Sequence, residues 1–237
     1  MMKMKLLLTA MAIVALATVS ASAGIIGELG ILDSSTGLTT GDQYRLVFLT
    51  STTTDATSAD IATYNAFVQG VAVTAGLGGT WNIVGSTVTV DARDNTGTNP
   101  GDGVGVPIFL MDGMTSIAND NADLWNGIGA SVDFDENGVA LIDNRVFTGS
   151  GGNGTSQGAN LGSDTALGVV NVNPGDYKGV QTGYSIKTGS GWMINYKDNP
   201  TNFNSVYAMS EVLTAVPEPA TMVLLGLGGL VLRRRRV

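Results

Sequence analysis

The chain predicts an α+β fold: a mostly β single domain with one main helix, flanked by a signal peptide and a short C-terminal hydrophobic helix. Three observations carry this. Short runs of β-branched and aromatic residues recur between turns rich in Gly, Asn, Thr and Ser; helical periodicity is sustained in one stretch only; and each end of the chain carries an apolar segment beside basic residues. Setting aside residues 1–23 and 217–237 leaves residues 24–216, a length suited to one domain.

At the N-terminus, Lys3 and Lys5 form a positive n-region and residues 6–19 an apolar h-region. Ala21-Ser22-Ala23 is a small-residue cleavage site that would leave Gly24 as the mature N-terminus, after engagement of the Sec export machinery. Within the domain, residues 44–49 are a β-rich run between Gly41-Asp42 and Ser51-Thr52-Thr53, which reads as a buried strand. Residues 57–60 match a capping box. Ile61, Tyr64, Phe67, Val68, Val71 and Ala75 then recur at helical spacing until Gly76 and Gly78 end the pattern.

Short β-type runs follow at 81–84, 87–90 and 106–111, around a turn-rich loop through Asp94-Asn95-Thr96-Gly97 and Asn99-Pro100-Gly101. A brief helical turn is expected over 118–125, with Leu124 and Trp125 inward. Residues 131–134 and 139–142 flank Glu136-Asn137-Gly138, and the Asn-Gly pair suits a type I′ hairpin turn. The glycine-dense stretch 148–168 reads as a long loop, functional or poorly ordered. Strands at 184–187, 192–196 and 205–213 close the domain.

Between the two ends lie six basic and nineteen acidic residues, a mature net charge of −13, because six of the 12 basic residues and one of the 20 acidic ones sit in the ends. Such a surface repels phosphate backbones and anionic lipid, so no nucleic-acid partner is expected, and hard cations such as calcium are the charged partners it favours. There is no cysteine and no histidine. Ser-His-Asp and Cys-His catalysis, the imidazole base and nearly every zinc site are thereby excluded, and stability must come from the core.

The tail orders three features: Pro217-Glu218-Pro219, an uncharged apolar run at 220–232, and Arg233, Arg234, Arg235 and Arg236. As a helix the run reaches only about 20 Å, whereas a full membrane span needs about 20 residues. The arginines would stay among anionic headgroups on the cytoplasmic side, anchoring the C-terminus transiently at the inner membrane. The two prolines keep the segment before it extended. This order resembles the PEP-CTERM sorting signal of exported bacterial proteins. The resemblance implies an exosortase-type, transpeptidase-like enzyme as partner and a cut near the triplet. It also implies export across the inner membrane to the cell surface or extracellular matrix, often alongside exopolysaccharide.

Three groups are candidates for chemistry. Asp133, Asp135, Asn137 and Gly138 fit the first half of an EF-hand loop, but position twelve is Asn144 and not Glu, so a hairpin turn and a calcium site both stand open. Asp112, Asp120 and Asp123, with Asp91 and Asp94, are either paired carboxylates for glycoside hydrolysis or ordinary turn and cap residues. Trp81, Trp125 and Trp192 either seal the core or, for Trp125 and Trp192, stack on sugar rings. No catalytic residue and no resident cofactor is assigned; Ca2+ is the one ion considered.

Residues 45–68, 76–95, 106–127, 132–142, 145–150, 191–196 and 205–211, taken in order, resemble a bacterial extracellular C-type-lectin-like domain related to endostatin-type modules. The resemblance implies that fold and a glycan partner. Its usual cysteines and its Glu-Pro-Asn and Trp-Asn-Asp tripeptides are absent. Together these readings describe an exported, exosortase-sorted surface or matrix protein with a non-catalytic structural or interaction role. The alternatives are a calcium-assisted carbohydrate-binding module and a secreted carboxylate hydrolase.

Overall fold

The computed structural model describes residues 25–27, 29–142, 144–163 and 179–217. In chain order its elements are β1 (Ile25–Gly27), β2 (Gln43–Leu49), α1 (Ile61–Thr74), β3 (Trp81–Ile83), α2 (Ala92–Asn95), β4 (Ile108–Leu110), β5 (Ser116–Ala118), α3 (Asn121–Asn126), β6 (Arg145–Phe147), β7 (Val180–Tyr184), β8 (Tyr196–Asp198), β9 (Tyr207–Ser210) and β10 (Leu213–Pro217), with 3-10 turns at Ser34–Thr36 and Ser190–Trp192. The chain is thus mostly β, with few helices, in a single domain.

The apolar run at 44–49 becomes β2, the axis of a seven-stranded sheet ordered β1-β10-β2-β4-β5, with β9 joining β2 to β3. It pairs in parallel with β4 and antiparallel with β9 and β10. Both faces of β2 are covered, which explains why it reads as a continuous apolar run and not as an alternation. Tyr44, Leu46 and Phe48 enter one core cluster, and Val47 and Leu49 enter the other. The first cluster lies under α1. The second lies under α3 and the irregular segments that carry Trp125, Trp192 and Met193.

Helix α1 forms where the periodicity predicts it, burying Tyr64, Val68 and Ala72 one turn apart against Phe48 and Trp81. Its cap differs from the expected box. Asp60 itself is the N-cap and accepts from the Ala62 N–H at 3.0 Å, while the Thr57 hydroxyl donates to Asp55. At the other end Gly76, at φ +78°, lets its own N–H reach Val73 C=O and that of Leu77 reach Ala72 C=O, closing the last turn.

Five strand expectations need correction. Residues 87–90 form no strand, because the chain turns back within them: the Thr87 N–H donates to Val90 C=O and the Ser86 hydroxyl accepts the Ala92 N–H that opens α2. The 131–142 hairpin has a single bridge, Phe134 to Ala140, and its turn sits one residue earlier than a type I′ turn on Asn137-Gly138. There Gly138 N–H donates to Asp135 C=O, and Gly138, at φ +73°, is the bulge residue. The strand expected at 184–187 lies earlier, as β7. Residues 192–196 are not a strand, because Trp192 ends a 3-10 turn that drives its ring into the core, and β8 begins only at Tyr196.

The closing run expected at 205–213 divides into β9 and β10 at Glu211-Val212, where the Glu211 N–H donates to Thr80 C=O and the Glu211 carboxylate accepts the Thr80 N–H. β5 and β6 are three residues long, too short for periodicity to reveal, and with β7 and β8 the latter builds a second, three-stranded sheet. Residues 148–163 are packed, with Ser150, Asn160 and Leu161 buried. β10 runs through Pro217, so the fold takes in the first residue of the tail. The signal peptide with its Ala21 and Ala23, and the sorting residues from Glu218 to Arg236, lie outside the described residues. Among the described residues no helix is long and apolar enough to cross a membrane; the apolar run at 220–232 lies outside them.

Candidate functional site

The tryptophans are placed first by packing. Trp125, on α3, stacks on Trp192 at 5.9 Å between ring centroids, and Trp192 on Tyr207 at 5.3 Å. Trp192 has no exposed surface, so it cannot receive a sugar ring, contrary to the expectation. Trp125 is 7% exposed and its Nε1 donates to Thr98 C=O at 2.9 Å. Trp81 is buried against Phe48 with its Nε1 on Gly78 C=O. The seats of Trp125 and Trp192 are backbone. A Cβ at Gly154 would stand 2.7 Å from the Trp125 ring, and one at Gly183 would stand 1.6 Å from Trp192 C=O.

The rim of Trp125 opens on a cleft of about 640 Å³ bordered by Arg93, Asn119, Asp120, Asp123 and Asn153. The structure therefore brings Asp120, Asp123 and Trp125 together, and leaves Trp192 behind them. The two carboxylates hold α3. Asp120 is its N-cap and accepts from Asp123 N–H at 2.8 Å, while Asp123 accepts from the backbone and side-chain N–H groups of Asn119 at 2.8 and 2.9 Å. The other aspartates are occupied in the same manner. Asp91 accepts from Ser156 N–H and faces Arg93 at 3.8 Å, Asp94 accepts from the Asn99 amide, and Asp112 takes the N–H groups of Met114 and Thr115. Amides, a guanidinium and the exposed edge of Trp125 make a surface suited to hydrogen bonding with polar, uncharged groups.

The candidate calcium residues stand on the hairpin. Asp135 is 5% exposed, and its Oδ1 accepts the N–H groups of Asn137 and Val139 at 2.9 and 2.8 Å, fixing the turn. Asp133 accepts from the Ser131 hydroxyl. Within the same turn Glu136 is buried and takes both the N–H and the hydroxyl of Ser51. Among the described residues no three His, Cys, Asp or Glu side chains gather to hold a metal ion.

Sequence reasoning missed two polar anchors. Arg45, 9% exposed inside β2, donates to Ser210 C=O at 2.6 Å and Gly97 C=O at 3.3 Å; burial lowers its pKa, partly offset by Glu211. Asp198 accepts from Asn199 N–H and from the side chains of Asn202 and Asn204, with Arg145 at 3.6 Å. Burial pushes its pKa up, but those bonds outweigh it and hold the carboxyl below its ordinary value. The run Asp198-Asn199-Pro200 is itself a turn signal that marked this place.

At the other side of the sheet, β10 lies between β2 and β1. Leu213 and Thr214 pair with Tyr44 and Gln43; Ala215, Val216 and Pro217 pair with Gly27, Ile26 and Ile25. Ala215 donates to Asp42 C=O at 2.8 Å and accepts from Gly41 N–H at 2.9 Å. Residues 215–236 match the model of the PEP-CTERM protein-sorting motif. That motif marks an exported protein that an exosortase sorts to the cell surface. No curated protein matches the chain.

Proposed function

We propose that the chain is a surface or extracellular-matrix protein whose central domain acts by contact and not by catalysis, after Sec-dependent export, removal of residues 1–23 and exosortase cleavage near the triplet. The observation that carries this is the sorting motif at 215–236, which begins within the last strand of the domain. Three further facts support a non-catalytic role. Histidine and cysteine are absent, the aspartates once considered for hydrolysis serve as helix caps and turn acceptors, and the candidate calcium carboxylate closes its own turn.

A second reading has its own support. The Trp125 cleft, with Arg93, Asn119 and Asn153 on its rim, is the surface on which a glycan of the exopolysaccharide would sit, in keeping with the C-type-lectin-like resemblance. Retention of native processed protein on exopolysaccharide, with and without calcium, tests it. Binding weakened at least fivefold by Asn153→Ala supports the cleft; retention unchanged by that substitution sinks it. The non-catalytic reading predicts no turnover of polysaccharide, ester or peptide substrates. An activity abolished by Asp120→Asn or Asp123→Asn overturns it.

A further inference from the structure

Charge is divided unevenly along the chain. The described residues up to 142 carry thirteen acidic side chains and two basic ones, Arg45 and Arg93, of which Arg45 is buried. Those from 144 to 210 carry one acidic side chain, Asp198, and three basic ones, Arg145, Lys187 and Lys197. All four stand on the sheet β6-β7-β8 or on the turn that follows β7. Strand pairing gathers them with two tyrosines. Arg145 faces Tyr184 across β6 and β7, and Tyr196 on β8 faces Thr182, two residues before Tyr184 and on the same side of the pleat. That side enters the core at Phe147 and Val180 and emerges at Arg145. There the guanidinium carbon lies 5.4 Å from the centre of the Tyr196 ring, which Tyr184 meets edge-on at 6.2 Å. Tyr196 is 56% exposed. Arg145 is held by a hydrogen bond to the Tyr184 side chain and by Asp198, which is itself fixed by Asn199, Asn202 and Asn204. These contacts use part of a group with five N–H donors, and 42% of the Arg145 side chain is exposed.

From this arrangement we propose that the Arg145–Tyr184–Tyr196 face binds a carboxylate-bearing glycan, a chain of uronate sugars. The carbon–hydrogen face of one sugar lies on the Tyr196 ring, and its carboxylate takes paired N–H bonds from Arg145. Lys197, exposed on the outer strand β8, and Lys187, exposed on the turn its N–H closes on Tyr184 C=O, add positive charge. Charge complementarity sets the sign of the ligand, because the one carboxylate among these cations is already bonded. Screening beyond about 8 Å at physiological salt makes this local balance, and not the total of −13, the one a bound ligand meets. The exposed aromatic ring selects a glycan over an acidic peptide, which brings carboxylates without a flat carbon–hydrogen face. A second copy of the chain would bring its own −13 as well. The face shares no residue with the Trp125 cleft.

The test measures calorimetric binding of oligogalacturonate to the protein as its producer exports it, beside the fully methyl-esterified oligomer and poly-L-glutamate. Wild type should bind the free acid about tenfold or more tightly than either control, and less tightly as salt rises. Tyr196→Ala and Lys197→Glu, both at exposed positions, should each weaken binding about fivefold or more while the folded far-UV spectrum is kept. Arg145→Lys, which retains the charge and loses the paired N–H geometry, should weaken it too. Asn153→Ala, in the Trp125 cleft, should leave it unchanged. Equal binding of polyglutamate overturns the glycan class, and equal binding of the ester overturns carboxylate recognition. Absence of binding by wild type, or binding lost in Asn153→Ala but kept in Tyr196→Ala and Lys197→Glu, overturns the face itself.

Discussion

Gly154 and Gly183 place backbone where a side chain would displace a tryptophan. At Gly154 the backbone also holds φ +77°, so Gly154→Ala adds strain to a 2.7 Å contact with the Trp125 ring. Gly154→Ala is expected to cost about 2 kcal/mol or more in denaturant unfolding. Asp198 provides a pH-dependent test. Its folded pKa lies below the unfolded value of about 3.9, so its contribution is present above that value and is lost as pH falls through the lower folded one. Asp198→Asn should cost about 2 kcal/mol at neutral pH and flatten the acid limb of the melting curve. Tyr207 works at the other extreme. Burial, and then Asp133, raise its pKa, so its contribution is complete below the unfolded value near 10 and declines as pH rises beyond it. Tyr207→Phe should reduce the loss of Tm between about pH 9 and 11. The glycine and tryptophan positions were visible in the sequence as types. Their pairing was not, because Gly154 meets Trp125 across 29 residues and Gly183 meets Trp192 only through a 3-10 turn that no periodicity announces.

Among the elements, α1 was legible because its apolar stripe persists for four turns and ends at a glycine, while β5 and β6 left too few residues for any period to show. β2 was legible as a buried run, although Arg45 inside it was not recognised as an anchor, since only the ends of β9 and α2 supply its carbonyl partners. The helix start separates the two capping schemes. Asp60→Ala should lower stability by about 1 kcal/mol, and Thr57→Ala by less than about 0.5 kcal/mol, in paired thermal melts. An equal loss at both positions would restore the capping box. The hairpin at 131–142 was read correctly as a turn but in the wrong place, because the Asp135 carboxylate, by taking two N–H groups, moves the turn one residue toward the N-terminus.

For the whole molecule, a charge of −13 over residues 24–216 with no disulfide means that carboxylate repulsion works against a core that has no covalent support. Calcium should therefore raise Tm by screening alone, and Asp135→Asn should leave that response unchanged; a response lost in the variant would reinstate an ion site on the hairpin. The sorting motif was legible from the tail of the chain, while the pairing of Ile25 with Pro217 was not, because it depends on three residue pairs between β1 and β10. Export with sorting remains the central claim, and the intact mass of the protein recovered from the surface or medium of its native producer tests it most directly. The account predicts a species beginning at Gly24 and lacking Arg233, Arg234, Arg235 and Arg236. A predominant extracellular species that still carries the four arginines would contradict it.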